Sequence, residues 1–208
     1  MGIAMLELDH LAISGETLEA ATAHVEDTLG VKLQPGGNHA AFSTHNTLLG
    51  LEDGLYIEAI AKDPDAPPAR HTPIFDLASF TGPARLTNWI CRTQHLQRLL
   101  TEMPDGLGPA LPLARSDLRW LMTAPPSGVI PFDNLMPYMI EWQTSPHPAT
   151  KLAPSGLRLH RLFISHPKAD AMITLLAPHF TDARVVIENG PNAILAEFDT
   201  PHGRRLLE

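Results

Sequence analysis

The chain has 208 residues, of which 44% are apolar and 18% are charged, and its formal net charge at pH 7 is −8. This composition suits one large domain, or one domain with an appendage, and excludes a mostly disordered chain. The acidic balance gives no electrostatic reason to bind nucleic acid. Cys91 is the single cysteine, so no intrachain disulfide can form, and a reducing compartment is expected.

The N-terminal segment 1–7 lacks the basic flank and the long apolar run of a signal peptide. No apolar stretch approaches the ~20 residues needed to cross a bilayer. We therefore expect a cytoplasmic protein whose partners are neither membranes nor nucleic acids.

Unit one, residues 7–62, predicts a strand, a helix and three further strands. The helix carries apolar residues on one face from Leu18 to Leu29, and Gly30 is well placed to end it. Asp53-Gly54 is a strong turn signal before the last strand. The strands are predicted at residues 8–14, 40–43, 47–51 and 55–61.

Unit two, residues 85–143, and unit three, residues 157–208, have the same predicted order of elements. Proline-rich connections separate the three units. In unit two the helix follows Thr93, a candidate cap, and strands are predicted at 86–91, 110–114, 118–123 and 136–142. In unit three the helix starts near Pro167 and stops at Pro178, and strands are predicted at 157–164, 184–187, 193–198 and 204–208. The domain boundaries follow as 1–146 and 147–208.

Three residue pairs support an internal repeat. His10 and Glu58 lie on the first and last strands of unit one, and His160 and Glu208 have the same sequence separation in unit three. Asn88 and Glu141 hold the corresponding places in unit two.

A βαβββ unit with His on its first strand and Glu on its last resembles the vicinal oxygen chelate superfamily, which includes glyoxalase I, extradiol dioxygenases and bleomycin-resistance proteins. More narrowly, the chain resembles the glyoxalase-like domain subgroup. The segments that carry this resemblance are 8–11, 35–39, 44–49, 56–58, 132–142 and 146–148. The resemblance implies an α+β fold of repeated βαβββ units that form a curled mixed-sheet cup, with a third similar unit at the C-terminus.

In the superfamily, metal ligands project into the cup from the first and last strands of two paired units. Carried over, this places His10, Glu58 and Glu141 in ligand positions, while Asn88 stands where a fourth ligand, usually His, is found. Because side chains alternate along a strand, His10 and Glu58 can converge on one ion if both strands line the cavity. One imidazole and two carboxylates suit a divalent metal (Zn, Mn, Ni, Mg or Fe(II)) that acts as a Lewis acid.

Further candidates are expected to face the same cavity, and of these His39, His45 and Asn46 lie on and beside one strand of unit one. His45 and Glu141 are candidate acid–base groups, and His39, Asn46 and Asn88 are candidate substrate contacts. Structural interpretations stand beside these: a strand histidine is more often structural, Glu141 could be an ordinary hydrogen-bonded acid, and Asn46 could stabilise a strand bend. His160 and Glu208 offer a competing site with unit one, although a terminal residue such as Glu208 tends to fray.

Two functions stay open at this stage. The first is a metal-dependent isomerase, lyase or dioxygenase acting on a small oxygenated molecule. The second is a metal-free small-molecule binding or resistance-type protein that uses the same cup, which Asn88 at the fourth position favours. We also expect a homodimer, because the sheet edge of unit three should be covered by another chain or by the cup.

Overall fold

The structure is a computed structural model that describes residues 5–208. Residues 1–4 belong to the segment considered above for a signal peptide, and they lie outside the described residues. The described part of the chain forms two sheets, one of eight strands and one of four. Among its helices, none combines the length and the hydropathy that a bilayer crossing requires.

The elements follow one another along the chain, and the longest connections are residues 63–84, 124–137 and 143–157. The strands of the larger sheet are β1 (Glu7–Ser14), β2 (Gln34–His39), β3 (Thr44–Gly50), β4 (Tyr56–Lys62), β5 (Arg85–Arg92), β6 (Ala110–Arg115), β7 (Leu118–Thr123) and β8 (Tyr138–Trp142). The strands of the smaller sheet are β9 (Arg158–Ser165), β10 (Val185–Glu188), β11 (Ala193–Thr200) and β12 (Gly203–Leu207). The helices are α1 (Leu18–Leu29), α2 (Leu96–Leu100) and α3 (Ala169–Leu176).

The larger sheet pairs unit one with unit two. Its order is β2-β3-β4-β1-β5-β8-β7-β6, so the strand order of unit two is the reverse of that of unit one. The two units meet where β1 runs antiparallel to β5. Within each unit the first strand lies parallel to the last, as β1 does to β4 and β5 to β8. The edge strands β2 and β6 come close to each other, so the sheet curls into a nearly closed cup. The predicted fold of paired βαβββ units is confirmed.

The smaller sheet has the predicted order of elements but a different strand pairing. Its order is β10-β9-β11-β12, so the first strand pairs with β10 and β11 rather than with the last strand. His160 and Glu208 are therefore not equivalent to His10 and Glu58, and the competing site is not formed. His160 lies beside Asp199, at 3.3 Å, and the carbonyl of Glu208 contacts the ring of His24.

Local signals in the sequence explain most element boundaries. Thr17 caps α1 by accepting a hydrogen bond from the Ala20 backbone N–H, and Gly30 ends the helix in the left-handed conformation at φ 72°. The segment 40–43, predicted to be a strand, is instead a turn, and residues 34–39 form the strand that pairs with β3 on its outer side. β8 begins only after Pro137, which has no N–H to donate to a neighbouring strand.

Candidate functional site

A β-bulge in β1 sets the geometry of the site. Leu8 pairs with Cys91 and His10 pairs with Ile90 on β5, so Asp9 is an extra residue without a partner of its own. A bulge redirects side chains that would otherwise alternate between the two faces of the sheet. The Asp9 carboxylate consequently reaches the ring of the next residue, with 2.6 Å between His10 Nδ1 and Asp9 Oδ1.

Asp9 is a fully buried carboxylate with several hydrogen-bond donors. Trp142 Nε1 donates to Asp9 Oδ2 at 3.1 Å, and His147 Nε2 lies 2.8 Å from the same oxygen. Burial alone would raise the pKa of Asp9, but the contacts with His10 and His147 outweigh it and hold the pKa below its ordinary value. Asp9 is therefore ionised at neutral pH, and it fixes the orientation of the His10 ring.

His10 faces Glu58 across two neighbouring strands. The distance from His10 Nε2 to Glu58 Oε2 is 3.5 Å, and the His10 ring stacks on Tyr56 with ring centres 4.3 Å apart. Burial would lower the pKa of His10, but the two carboxylates outweigh it and raise the pKa to about 9. Burial would likewise raise the pKa of Glu58, but His10 chiefly lowers it to about 2. At neutral pH the two groups form a buried ion pair.

Asn46 links Glu58 to the edge of the cup. Its Nδ2 donates to Glu58 Oε1, while its Oδ1 accepts from the Gly37 backbone N–H at 2.8 Å and from Arg115 Nη1 at 3.2 Å. These contacts fix which end of the amide is which. The backbone of β2 packs closely against the Asn46 side chain: a Cβ added at Gly36 would lie only 2.0 Å from Asn46 Oδ1.

His39 is a neutral member of the cluster. Its Nε2 lies 3.1 Å from Arg115 Nη1, and because a guanidinium only donates, this ring nitrogen must accept. The other ring nitrogen, Nδ1, then carries the proton and donates to Thr44 Oγ1 at 3.2 Å. Burial is the main cause that lowers the pKa of His39 to about 4, so the ring is uncharged at neutral pH.

Apart from Asp9, which lies behind His10, these polar side chains line one narrow cavity of about 60 Å³ inside the cup. Unit one supplies the polar groups of the wall, and unit two supplies apolar side chains together with Arg115. The polar and ionisable lining residues are His10, His39, Thr44, Asn46, Tyr56, Glu58 and Arg115. The apolar lining includes Phe42, Leu48, Phe75, Leu113, Trp120, Met122, Ile140 and Trp142. An ordered polar wall opposite an apolar wall suits a small ligand held in a defined orientation.

The structure does not bring Glu141 to this cavity. Its neighbours Ile140 and Trp142 line the cavity, so the alternation along β8 turns Glu141 to the other face of the sheet. There its carboxylate accepts from the Leu96 backbone N–H at 2.7 Å and from Gln143 Nε2 at 3.0 Å. Glu141 therefore stabilises the start of α2, and neither its expected metal contact nor its expected acid–base role fits this position.

His45 and Asn88 also differ from expectation. Thr44, Asn46 and Leu48 face the cavity, so His45, between the first two, lies on the opposite face of β3. The Asn88 side chain donates to the carbonyl oxygen of Asn134 at 2.9 Å and holds a connecting loop instead of lining the cavity. The expected roles of His45 in acid–base chemistry and of Asn88 in substrate binding are not supported by these placements.

The metal site implied by the resemblance requires ligands that converge on one point. Of the four implied positions, only His10 and Glu58 face each other. Across residues 5–208, no group of three or more His, Cys, Asp or Glu residues is arranged to hold a metal ion. The donor set thus does not fit the superfamily's full metal centre, because catalytic zinc sites usually have three protein ligands.

Two residues of the candidate site were not predicted from the sequence. Asp9 stands directly before His10, but regular alternation predicts that it points to the opposite face, and only the bulge overturns this. Arg115 comes from unit two and meets His39 and Asn46 because the cup closes, which no local pattern indicates. The predicted residues that the structure does bring together are His10, Glu58, Asn46 and His39.

Comparisons with known proteins assign the chain to a family. The family model described as "Glyoxalase-like domain" matches residues 8–180. A comparison with curated protein sequences found no significant match.

Among solved structures, a hypothetical protein from Staphylococcus aureus is 12% identical, with a TM-score of 0.60 over 95% of this chain and 82% of that chain. A methylmalonyl-CoA epimerase from Mycobacterium tuberculosis is 16% identical, with a TM-score of 0.43 over 69% of this chain and 91% of that chain. A single-residue variant of the Streptomyces coelicolor methylmalonyl-CoA epimerase, in complex with 2-nitronate-propionyl-CoA, is 12% identical, with a TM-score of 0.42 over 67% and 99%. At these identities the likeness concerns the fold alone. By the match to most of its length, the chain belongs to the glyoxalase-like domain family of the vicinal oxygen chelate superfamily.

Proposed function

We propose that the protein is an enzyme that moves a proton on a small oxygenated molecule bound in the cup, with Glu58 as the base and His10 as the hydrogen-bond donor. The observation that carries this proposal is the facing pair itself, with His10 Nε2 and Glu58 Oε2 3.5 Å apart at the wall of a cavity. Each partner is also hydrogen-bonded to a second side chain that fixes its orientation, His10 to Asp9 and Glu58 to Asn46.

The chemistry follows from which atoms carry protons. The Glu58 carboxylate takes a proton from a carbon next to a carbonyl, and the C–H electron pair becomes the C=C bond of an enolate. The carbonyl π electrons move to the oxygen, which His10 Nε2–H stabilises by donating to it. Return of the proton to a different atom or face gives an isomerisation. Because Glu58 has a low pKa, it is a weak base, so the reaction depends on His10 acidifying the substrate.

Deuterium exchange tests the proposal with a panel of compounds rather than one chosen substrate. Small 2-oxo acids, hydroxyketones and aldehydes are incubated with the protein in D2O, and loss of the proton beside the carbonyl is followed by NMR. We expect exchange with at least one compound, reduced by about 100-fold or more in Glu58→Gln and in His10→Gln. Glu141→Gln and His45→Gln are matched controls, because both side chains lie outside the cavity and should leave exchange unchanged.

Other outcomes decide against the proposal. If no compound exchanges faster than in buffer, while ligands still bind in the cup, the protein is a binding or resistance-type member of the superfamily. If Glu141→Gln abolishes exchange as completely as Glu58→Gln, the reacting groups have been misassigned.

A divalent ion held by the same two atoms is a second candidate. Two ligand atoms 3.5 Å apart can share one ion at ordinary bond lengths of about 2.0–2.2 Å, and a carboxylate behind a ligating histidine is a common supporting contact. Elemental analysis of protein purified without chelators separates the two candidates. One ion per chain, lost in His10→Ala, would support the metal. Absence of the ion in protein that still catalyses exchange would leave proton transfer by side chains alone.

A homodimer and a cytoplasmic location remain predictions from the sequence. The smaller sheet ends in β12, which packs against α1 of unit one but leaves residues 203–206 exposed, and this exposed edge is where we expect a second chain to bind. The molar mass in solution is the measurement that checks the dimer.

A further inference from the structure

Among the described residues that line the cavity, Arg115 is the one from unit two that carries a charge. It ends β6, an edge strand of the larger sheet, and it reaches across to unit one. Its Nη1 donates to His39 Nε2 and to Asn46 Oδ1, which are both neutral acceptors. The surrounding wall of unit two is apolar and includes Leu113 and Trp120, which pair with each other across β6 and β7.

This positive charge lacks a negative partner among the described residues. Within residues 5–208, no carboxylate lies within ion-pair distance of Arg115, whereas His10 faces both Asp9 and Glu58. Exposed arginines such as Arg119 need no partner, because water solvates them. A guanidinium that faces a largely apolar cavity is different, since most of its N–H groups remain available for a planar anion.

The backbone of β2 is shaped to hold the Arg115 side chain in place. A Cβ added at Gly37 would come within 3.0 Å of Arg115 Cδ and 3.4 Å of its Nε and Nη1. A side chain at position 37 would therefore displace the guanidinium. Glycine at this position allows Arg115 to lie flat against the strand, next to the amide that contacts Glu58.

We infer that Arg115 is the carboxylate-binding group of the cup, and that the ligand is a small carboxylic acid with an oxygenated carbon beside its carboxylate. The Asn46 side chain alone separates Arg115 from Glu58 in this chain of hydrogen bonds. A carboxylate on Arg115 therefore places the neighbouring carbon toward the His10–Glu58 pair. This inference names a substrate class for the proposed function and rests on it for the chemistry, but not for the binding.

Binding of matched acids and neutral analogues tests the inference. Pyruvate, lactate and 2-oxobutyrate are each compared with the corresponding amide by saturation-transfer NMR and calorimetry at millimolar concentrations. We expect at least one acid to bind about tenfold or more tightly than its amide, because the amide cannot form the charge-assisted pair with the guanidinium. Arg115→Gln should remove this preference, whereas Arg119→Gln, an exposed arginine of the same hairpin, should keep it.

Gly37→Ala provides a second variant that keeps the guanidinium but displaces it. We expect it to weaken acid binding in the same direction as Arg115→Gln, so the test does not depend on the folding of one variant. Equal affinity for acid and amide in the unmodified protein would overturn the inference. Unchanged acid binding in Arg115→Gln, or no binding of any of the three acids, would also overturn it.

The inference and the proposed function fail in different ways. If an acid binds through Arg115 but shows no deuterium exchange, the carboxylate site stands and the proton-transfer proposal falls. If neutral ketones exchange equally well in the unmodified protein and in Arg115→Gln, proton transfer stands and the carboxylate site falls.

Discussion

Unit one and unit two share a topology but contribute different kinds of side chain to the cavity. Strands of unit one present His10, Asn46 and Glu58 to the interior, whereas the matching wall of unit two is apolar apart from Arg115. The two units have the same internal strand order within one sheet, so the difference between their walls does not come from the fold. It comes from which way each polar side chain points, and this shows that a repeated architecture does not imply a repeated site.

The polar residues of unit two that the predicted repeat matched to the unit one site have structural roles, and the register of β5 with β8 does not put Glu141 in the place that Glu58 holds in β4. The Asn88 side chain donates to the carbonyl oxygen of Asn134, and Glu141 accepts from the Leu96 N–H at the start of α2. In unit one, by contrast, the bulge at Asp9 places an additional carboxylate behind His10. The bulge therefore gives unit one a buried charge cluster, and the described residues of unit two form no counterpart to it.

Asp9→Ala is expected to have the largest effect on this asymmetry. It removes a buried carboxylate and leaves His10, Trp142 and His147 without their acceptor. Breaking a buried, paired charge in this way typically costs about 3–5 kcal/mol of unfolding free energy. Urea unfolding of Asp9→Ala and of the unmodified protein measures this loss.

A carboxylate of unit two supplies the control for that experiment. Asp117 pairs with Lys151 at 2.8 Å, but both side chains are largely exposed to solvent. Solvent screens such pairs, so Asp117→Ala should leave the unfolding midpoint essentially unchanged. A loss in Asp117→Ala as large as that in Asp9→Ala would show that burial of charge does not distinguish the two units.

The pH dependence of stability sharpens the comparison within unit one, because His10 and His39 should act in opposite directions. The pKa of His10 rises from its ordinary value of 6.5 to about 9 on folding. Its contribution is complete below pH 6.5 and is lost as the pH rises through 9, by up to about 3 kcal/mol. The pKa of His39 falls from 6.5 to about 4, so stability decreases as the pH falls through this range.

Substitutions separate the two contributions. The difference in unfolding free energy between the unmodified protein and His10→Gln should shrink from pH 6.5 to pH 9. The difference for His39→Gln should shrink from pH 6.5 to pH 4, and its change should be smaller because His39 is only partly buried. Parallel pH profiles for both variants would contradict the assignment of one charged and one neutral histidine.

The sequence predicted the elements that depend on local periodicity. α1 lies where its apolar face and Gly30 indicated, and the pairing of two βαβββ units is as the resemblance to the superfamily implied. Of the site, His10 and Glu58 could be placed on one cavity because the resemblance puts them on the first and last strands of one unit, which pair directly with each other. His39 and Asn46 followed from their position on and beside β3.

The remaining features depend on three-dimensional arrangements that no local pattern encodes. Asp9 joins the site through a bulge, which sequence alternation does not reveal. Arg115 joins it through closure of the cup, which brings the edge strands β2 and β6 together. The smaller sheet has the expected element order but a different pairing, because the order of strands along a chain does not fix which of them are neighbours. Glu141 lies outside the cavity because Ile140 and Trp142 take the inward positions of β8, which leaves Glu141 on the opposite face of the sheet.

The smallest expected effect concerns this last residue. Glu141→Ala should cost about 1 kcal/mol of unfolding free energy, because Leu96 loses a side-chain acceptor for its N–H at the start of α2. Glu141→Gln keeps an oxygen acceptor and should lose less. Neither variant should change ligand binding in the cup, which titration with the carboxylic acids above would measure. Weakened binding in Glu141→Gln, together with unchanged stability, would instead assign unit two a reacting carboxylate and restore symmetry between the two halves.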